Sequence, residues 1–182
     1  DSWWRFFEEI IDAPMGRKLA NAACDEEEYL LGNIDLNSNG FFRKKKTKAA
    51  LEGRWKLHGW GVPNTSPASF ESAGLSPVFS GILQAQLEKI NSTTYRMLWE
   101  DKSPQTTLLT LYPTSIPLTK SNSVLPLQEK GKPLLLELES GWRIDGLGHL
   151  LLPVGIFKRL EMACSGIVGS IGEDERNSWP DF

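Results

Sequence analysis

SPVFSGILQAQLEKINSTTYRMLWEDKSPQTTLLTLY, residues 76–112, is the stretch on which the fold turns. Ser76 suits an N-cap, and Pro77 suits the first helical position, where its missing N–H costs nothing. Val78, Phe79, Ile82, Leu83, Leu87 and Ile90 then recur on one side of a helix over 76–91. From residue 93 the period changes from 3.6 to 2. Tyr95, Met97 and Trp99 alternate with Arg96, Leu98 and Glu100, as on a half-buried strand. Asp101-Lys102-Ser103-Pro104 reads as a turn, and residues 106–112 (TTLLTLY) as a second strand. A helix that feeds a strand–turn–strand hairpin predicts an α+β fold, with helices packed on a small antiparallel sheet.

Upstream of this unit, residues 63–74 (PNTSPASFESAG) have the composition of a loop. In residues 53–62 (GRWKLHGWGV), Trp55 and Leu57 alternate with Lys56 and His58, which predicts a strand. Gly59 and Gly61 flank Trp60, so a bend or a close backbone approach is expected there. Residues 41–52 (FFRKKKTKAALE) predict a helix with Phe41, Phe42, Ala49, Ala50 and Leu51 inward. Asp12 resembles an N-cap and Pro14 a first-turn residue of a helix that runs to about Leu31, with Gly32 and Asn33 as its stop. Residues 33–40 (NIDLNSNG) read as a loop. Residues 2–12 predict a short helix with Trp3, Phe6, Phe7 and Ile10 at helical spacing.

Downstream, 113–133 is expected to be a long loop rich in Pro, Ser, Thr and Lys. Residues 134–139 (LLLELE) predict a strand, and a C-terminal helix is expected from about Pro153. The polar tail from 172 onward is expected to fray. The 182 residues suit one domain, 1–182, large enough for a core without disulfide staples.

Composition narrows the functional classes. The chain is 40% apolar and 24% charged with a net charge of −3, so no global field would attract nucleic acid. The basic cluster Arg43-Lys44-Lys45-Lys46-Thr47-Lys48 is offset by acidic runs such as Asp25-Glu26-Glu27-Glu28, read here as surface. Cys24 and Cys164 sit in no CxxC pair and are expected reduced and buried, which favours a reducing compartment. No stretch approaches the about 18 apolar residues of a membrane span. The cytoplasm or the plastid stroma side is therefore expected, with membrane association left open. The chain begins at Asp1, which fits a form that has lost a targeting segment.

No catalytic signature is present: no GxSxG elbow, HExxH, CxxC, GxGxxG or GxxxxGK[ST]. A Ser–His–acid triad stays open, because its members lie far apart in a chain. His58 and His149 read as structural histidines, with no spacing suited to a metal. The informative feature is aromatic content, seven Trp in 182 residues. Trp55, Trp60, Trp99 and Trp142 suit either a core or the wall of an apolar ligand pocket. The terminal cluster Trp3, Trp4, Phe6 and Phe7 is hard to bury on a short helix. It is expected to be covered at least partly by another chain or a membrane surface.

The string Trp55-Lys56-Leu57-His58-Gly59-Trp60-Gly61, with the Ala/Leu helix before it, resembles a stretch of the cyanobacterial-type vinyl-four-reductase (4VR) domain family. The 76–91 helix with the 93–112 hairpin resembles that domain's closing unit, and Gly16-Arg17-Lys18-Leu19 has a counterpart. The resemblance spans about residues 13–112. The family's cysteines are absent from this hairpin, and its strand pair before the closing helix is shortened to 63–74. Leu51-Glu52-Gly53-Arg54-Trp55-Lys56-Leu57 is also similar to the opening strand of calycin barrels, including plastid lipid-associated fibrillins.

The first resemblance implies a compact α+β module for a tetrapyrrole or other apolar ligand, or a docking module in assembly of the photosynthetic apparatus. The ligand-lining candidates are His58, Trp60, Phe79, Leu83, Met97 and Trp99. The second implies a lipid or pigment carrier. A structural subunit held in a larger complex by Trp3, Trp4, Phe6 and Phe7, and an enzyme acting on tetrapyrroles, are the competing readings. A protein partner, an apolar small molecule and a peripheral membrane contact are the partners expected.

Overall fold

The computed structural model describes residues 2–32, 34, 36, 43–72, 74–118, 121–125, 142–144 and 147–165. Among these lie the helices α1 (Ser2–Ile11), α2 (Gly16–Leu31), α3 (Arg43–His58), α4 (Ser76–Asn91) and α5 (Gly155–Cys164). The strands are β1 (Val62–Thr65), β2 (Ala68–Glu71), β3 (Tyr95–Asp101), β4 (Thr106–Pro113), β5 (Trp142–Ile144) and β6 (Leu147–His149). β1–β4 form one antiparallel sheet in the order β1-β2-β4-β3, and β5 pairs with β6 separately. The fold is α+β, as the 76–112 unit predicts.

That unit forms as read. α4 covers Ser76–Asn91, and Met97 on β3 faces Leu111 on β4. Two details differ. The N-cap of α4 is Leu75, with Ser76 inside the helix. Burial extends past the expected stripe to Ser80, Gly81, Ala85, Gln86 and Glu88. The reason is that α4 touches β3 and β4 on one side and α2 on the other. It is the central layer, and a helix enclosed on two sides buries more than one stripe. At the crossing, a Cβ on Gly81 would run into the Ala20 carbonyl and the Cys24 N–H.

Four further expectations are corrected. Residues 53–58 are helical, not a strand, because α3 runs through to His58. Thr47, Leu51 and Trp55, four residues apart, form its buried seam, whereas Ala49, Ala50 and Leu57 are exposed. Phe41 and Phe42 lie outside the described residues. Residues 63–71 are not a loop: β1 and β2 make a hairpin, with Val62 opposite Glu71 and a cis Ser66–Pro67 bond between the strands. Pro63 and Phe70 are the buried side chains of this pair. Asp12 ends α1 in a left-handed conformation, φ 51°, and Met15 precedes α2 as its N-cap. The Met15 N–H is taken by Glu8 Oε1 at 2.8 Å.

The expected bend at Gly59 and Gly61 is present. Both have positive φ, 69° and 110°, and a Cβ at Gly59 would stand 2.8 Å from the His149 carbonyl oxygen. Residues 113–118 and 121–125 carry little regular structure beyond β4, as expected for the long loop. The expected strand 134–139, the stop at Asn33 and the polar tail lie outside the described residues. The C-terminal helix begins at Gly155 and packs on α2.

Candidate functional site

Of the six side chains expected to line a pocket, four belong to the core: Trp60, Phe79, Leu83 and Met97. Trp60 and Leu83 are wholly buried and Phe79 is 1% exposed. Trp55 sits between them, with ring centroids 6.0 Å from Trp60, 5.6 Å from Phe70 and 6.0 Å from Phe79. Edge and tilted contacts at this spacing are how aromatic rings pack a core. His58, half-buried at the end of α3, stacks on Trp60 at 4.4 Å. Its Nδ1 lies 2.8 Å from the Arg54 carbonyl oxygen, so the neutral ring donates there. Burial pushes the His58 pKa below its ordinary 6.5. The Trp60 indole N–H donates to the Leu151 carbonyl at 2.6 Å, and the Leu151 N–H to the His58 carbonyl at 2.9 Å. The segment after β6 thereby clasps the end of α3.

The acidic run of α2, read from the sequence as surface, is partly interior. Glu26 is 4% and Glu27 is 1% exposed. Adjacent residues diverge by about 100° on a helix, so the two carboxylates reach different neighbours. Glu27 Oε1 and Oε2 accept from Arg54 Nε and Nη2, both at 2.7 Å. Gln86 Nε2 donates to Glu27 Oε1 at 2.6 Å, and Gln86 Oε1 accepts from the Trp55 indole at 2.7 Å. Glu26 Oε2 accepts from Arg159 Nε of α5 at 2.8 Å. Every charge in these buried clusters has a partner, as burial requires. Among the described residues no group of three or more His, Cys, Asp or Glu side chains stands close enough to hold a metal ion.

Both cysteines are free. Cys24 is buried, and burial, with Glu88 next in weight, pushes its thiol well above 9.0, so it stays protonated. Cys164, the last residue of α5, is half-buried rather than enclosed.

Met97 also reaches an open groove of about 220 Å³, which it lines with Arg17, Asn21, Gln84, Tyr95 and Arg96. Arg17, from the first turn of α2, donates through Nη1 to the Met97 carbonyl at 2.8 Å. Its guanidinium also lies 4.6 Å over the Trp99 ring. Gln84 Nε2 donates to the Tyr95 carbonyl and to Glu88 Oε1, each at 2.9 Å. Glu88 Oε1 also accepts the Tyr95 N–H at 2.7 Å. Burial raises the Glu88 pKa, and these two donors oppose that rise. Arg17, Asn21 and Gln84 carry no local signature in the sequence; only the fold brings them to the β3 edge.

The expected docking cluster is divided as well. Trp4 is 6% exposed and belongs to the core, with Phe7 at 5.3 Å and Ile11 packed beside it. The protein's own body covers that stripe, so only the rest of the cluster is left for another chain or a membrane surface to cover. Phe6 remains 54% exposed and Ile10 45%. The side chain of Trp3 lies outside the described residues. Among the described residues no helix is long and apolar enough to cross a membrane. No protein-family model, curated protein or solved structure matches this chain.

Proposed function

We propose that the protein is a binding and assembly module, held in a larger complex by the outer stripe of α1 against an apolar groove of a partner protein. The observation that carries this reading is the two-sided helix α1. Trp4, Phe7 and Ile11 fix one stripe to the core, and Phe6 and Ile10, four residues apart, stand exposed on another. An anchored helix presenting apolar side chains at i and i+4 is the form in which helices enter protein grooves. Arg5 and Glu9, both exposed on the flank of this stripe, carry opposite charges, so no net charge draws the stripe to an anionic bilayer.

The test is the pair Phe6→Glu/Ile10→Glu in protein returned to its host. The wild type should migrate in a complex larger than the free chain and the variant as the free chain, with unchanged melting temperature when isolated. A variant that stays in the complex would remove this reading. A visible absorbance band in the purified wild type would carry the tetrapyrrole-binding reading that the family resemblance implies.

A further inference from the structure

β3 lies at one edge of the sheet, with β4 on its inner side. Thr114 N–H donates to the Thr94 carbonyl at 2.9 Å, and Lys102 N–H to the Thr106 carbonyl at 2.8 Å. The even-numbered residues of this strand therefore bond across to β4. The odd-numbered ones, Tyr95, Met97 and Trp99, turn their amides away from the sheet. An exposed strand edge is a template for unwanted pairing, and proteins cover it. Here the cover comes from side chains. Glu88 takes the Tyr95 N–H, Gln84 the Tyr95 carbonyl and Arg17 the Met97 carbonyl. The Met97 and Trp99 N–H groups are left over, with no acceptor among the described residues, and of the two residues Met97 lines the groove.

We infer that this groove is a binding site for a small carboxylate. The lining residues include two arginines, Arg17 and Arg96, the amide-bearing Asn21, and Met97, whose backbone N–H is unpaired among the described residues. An ionised carboxylate is acceptor-only and meets such a set without leaving a donor of its own unpaired. The planar fork of a guanidinium matches its two oxygens. Arg17 is held in place before any ligand arrives, by the Met97 carbonyl on one edge and the Trp99 ring beneath its face. Glu88, the acid at this edge, is already occupied by the Tyr95 N–H and the Gln84 amide. The volume, about 220 Å³, is below the roughly 300–1,000 Å³ of pockets that enclose drug-sized molecules, so the ligand is small.

Titration of the isotope-labelled chain with sodium acetate, sodium benzoate and sodium phosphate, followed by amide NMR, tests this. Acetate or benzoate should shift the Met97 amide and the Asn21 side-chain amide saturably. Arg17→Gln should weaken that response about tenfold or more, the worth of a charge-assisted hydrogen bond. Arg96→Gln, which leaves the cover of the β3 edge in place, should weaken it as well. No saturable shift at Met97, a wild-type response in either variant, or tighter binding of phosphate than of either carboxylate would each overturn the assignment. This site is independent of the α1 stripe, so Phe6→Glu/Ile10→Glu should bind the carboxylates like the wild type.

Discussion

Arg54 grips Glu27 with two bonds of 2.7 Å, one to each carboxylate oxygen, and joins α3 to α2 across a site where Glu27 is 1% exposed. Gln86 of α4 completes the junction, so three helices meet on one carboxylate. Arg54→Ala would strand a buried charge, and the expected loss is about 3–5 kcal/mol of folding stability in urea unfolding. Glu27→Gln/Arg54→Met removes both charges and keeps an acceptor for Gln86, and should cost less than Arg54→Ala alone. A double variant less stable than the single one would show that the pair itself, and not the stranded charge, carries the stability.

Gly81 and Gly53 should respond in opposite directions to the same substitution. Gly81→Ala drives a methyl group into the Ala20 backbone of α2 and should cost about 1–3 kcal/mol or more by separating the two helices. Gly53 lies in α3 with open space around it, so Gly53→Ala should add about 0.5–1 kcal/mol of helix stability. Thermal melts of both variants beside the wild type read the difference.

His58 makes stability depend on pH below neutrality. Burial lowers its folded pKa from 6.5, so the unfolded chain binds the proton first as the pH falls. Stability is lost as the pH drops from 6.5 to the folded value, where the loss is complete. His58→Phe keeps a ring on Trp60 and removes the titration. The wild-type urea midpoint should therefore fall more than the variant's between about pH 7 and about pH 5. The carboxyl groups titrate alike in both proteins and cancel. Parallel curves would exclude His58 as the source.

Trp4 and Phe6, two positions apart, should behave as core and surface. Trp4→Ala should destabilise the isolated chain by about 3–5 kcal/mol, as loss of a buried ring does. Phe6→Ala should stay within about 0.5 kcal/mol of the wild type. Equal effects in urea unfolding would mean that α1 does not sit on the core through Trp4.

The sequence was most legible where one pattern ran long enough to exclude others. The α4 stripe spans four turns, and β3 alternates over six residues. In Trp55-Lys56-Leu57-His58 the alternation lasts only four residues and fits a helix equally well. The helical signal lies in the spacing of Thr47, Leu51 and Trp55, and it crosses the boundary at which a strand was expected. The β1–β2 hairpin escaped because its strands are four residues long and mostly polar, so composition outweighed periodicity. Glu26 and Glu27 look like surface residues because their partners, Arg159 and Arg54, lie 133 and 27 positions away. For the groove, Met97 was legible on the inward face of β3. Arg17 was not, since nothing in its neighbourhood says that α2 starts beside that edge.

The clasp of Leu151 on His58 and Trp60 joins residues about ninety positions apart and sets an order on folding during synthesis. Helices α1–α4 and the four-stranded sheet are complete once residue 113 has been made. At that moment the Trp60 indole still lacks the carbonyl it will donate to. Glu26 likewise waits for the arginine of α5. A nascent chain that stalls after β4 therefore carries an aromatic core open on one side and a carboxylate without its counter-charge. Translation through the last quarter of the chain is what seals it, and a ribosome-bound fragment ending before Leu151 should be the form that chaperones recognise.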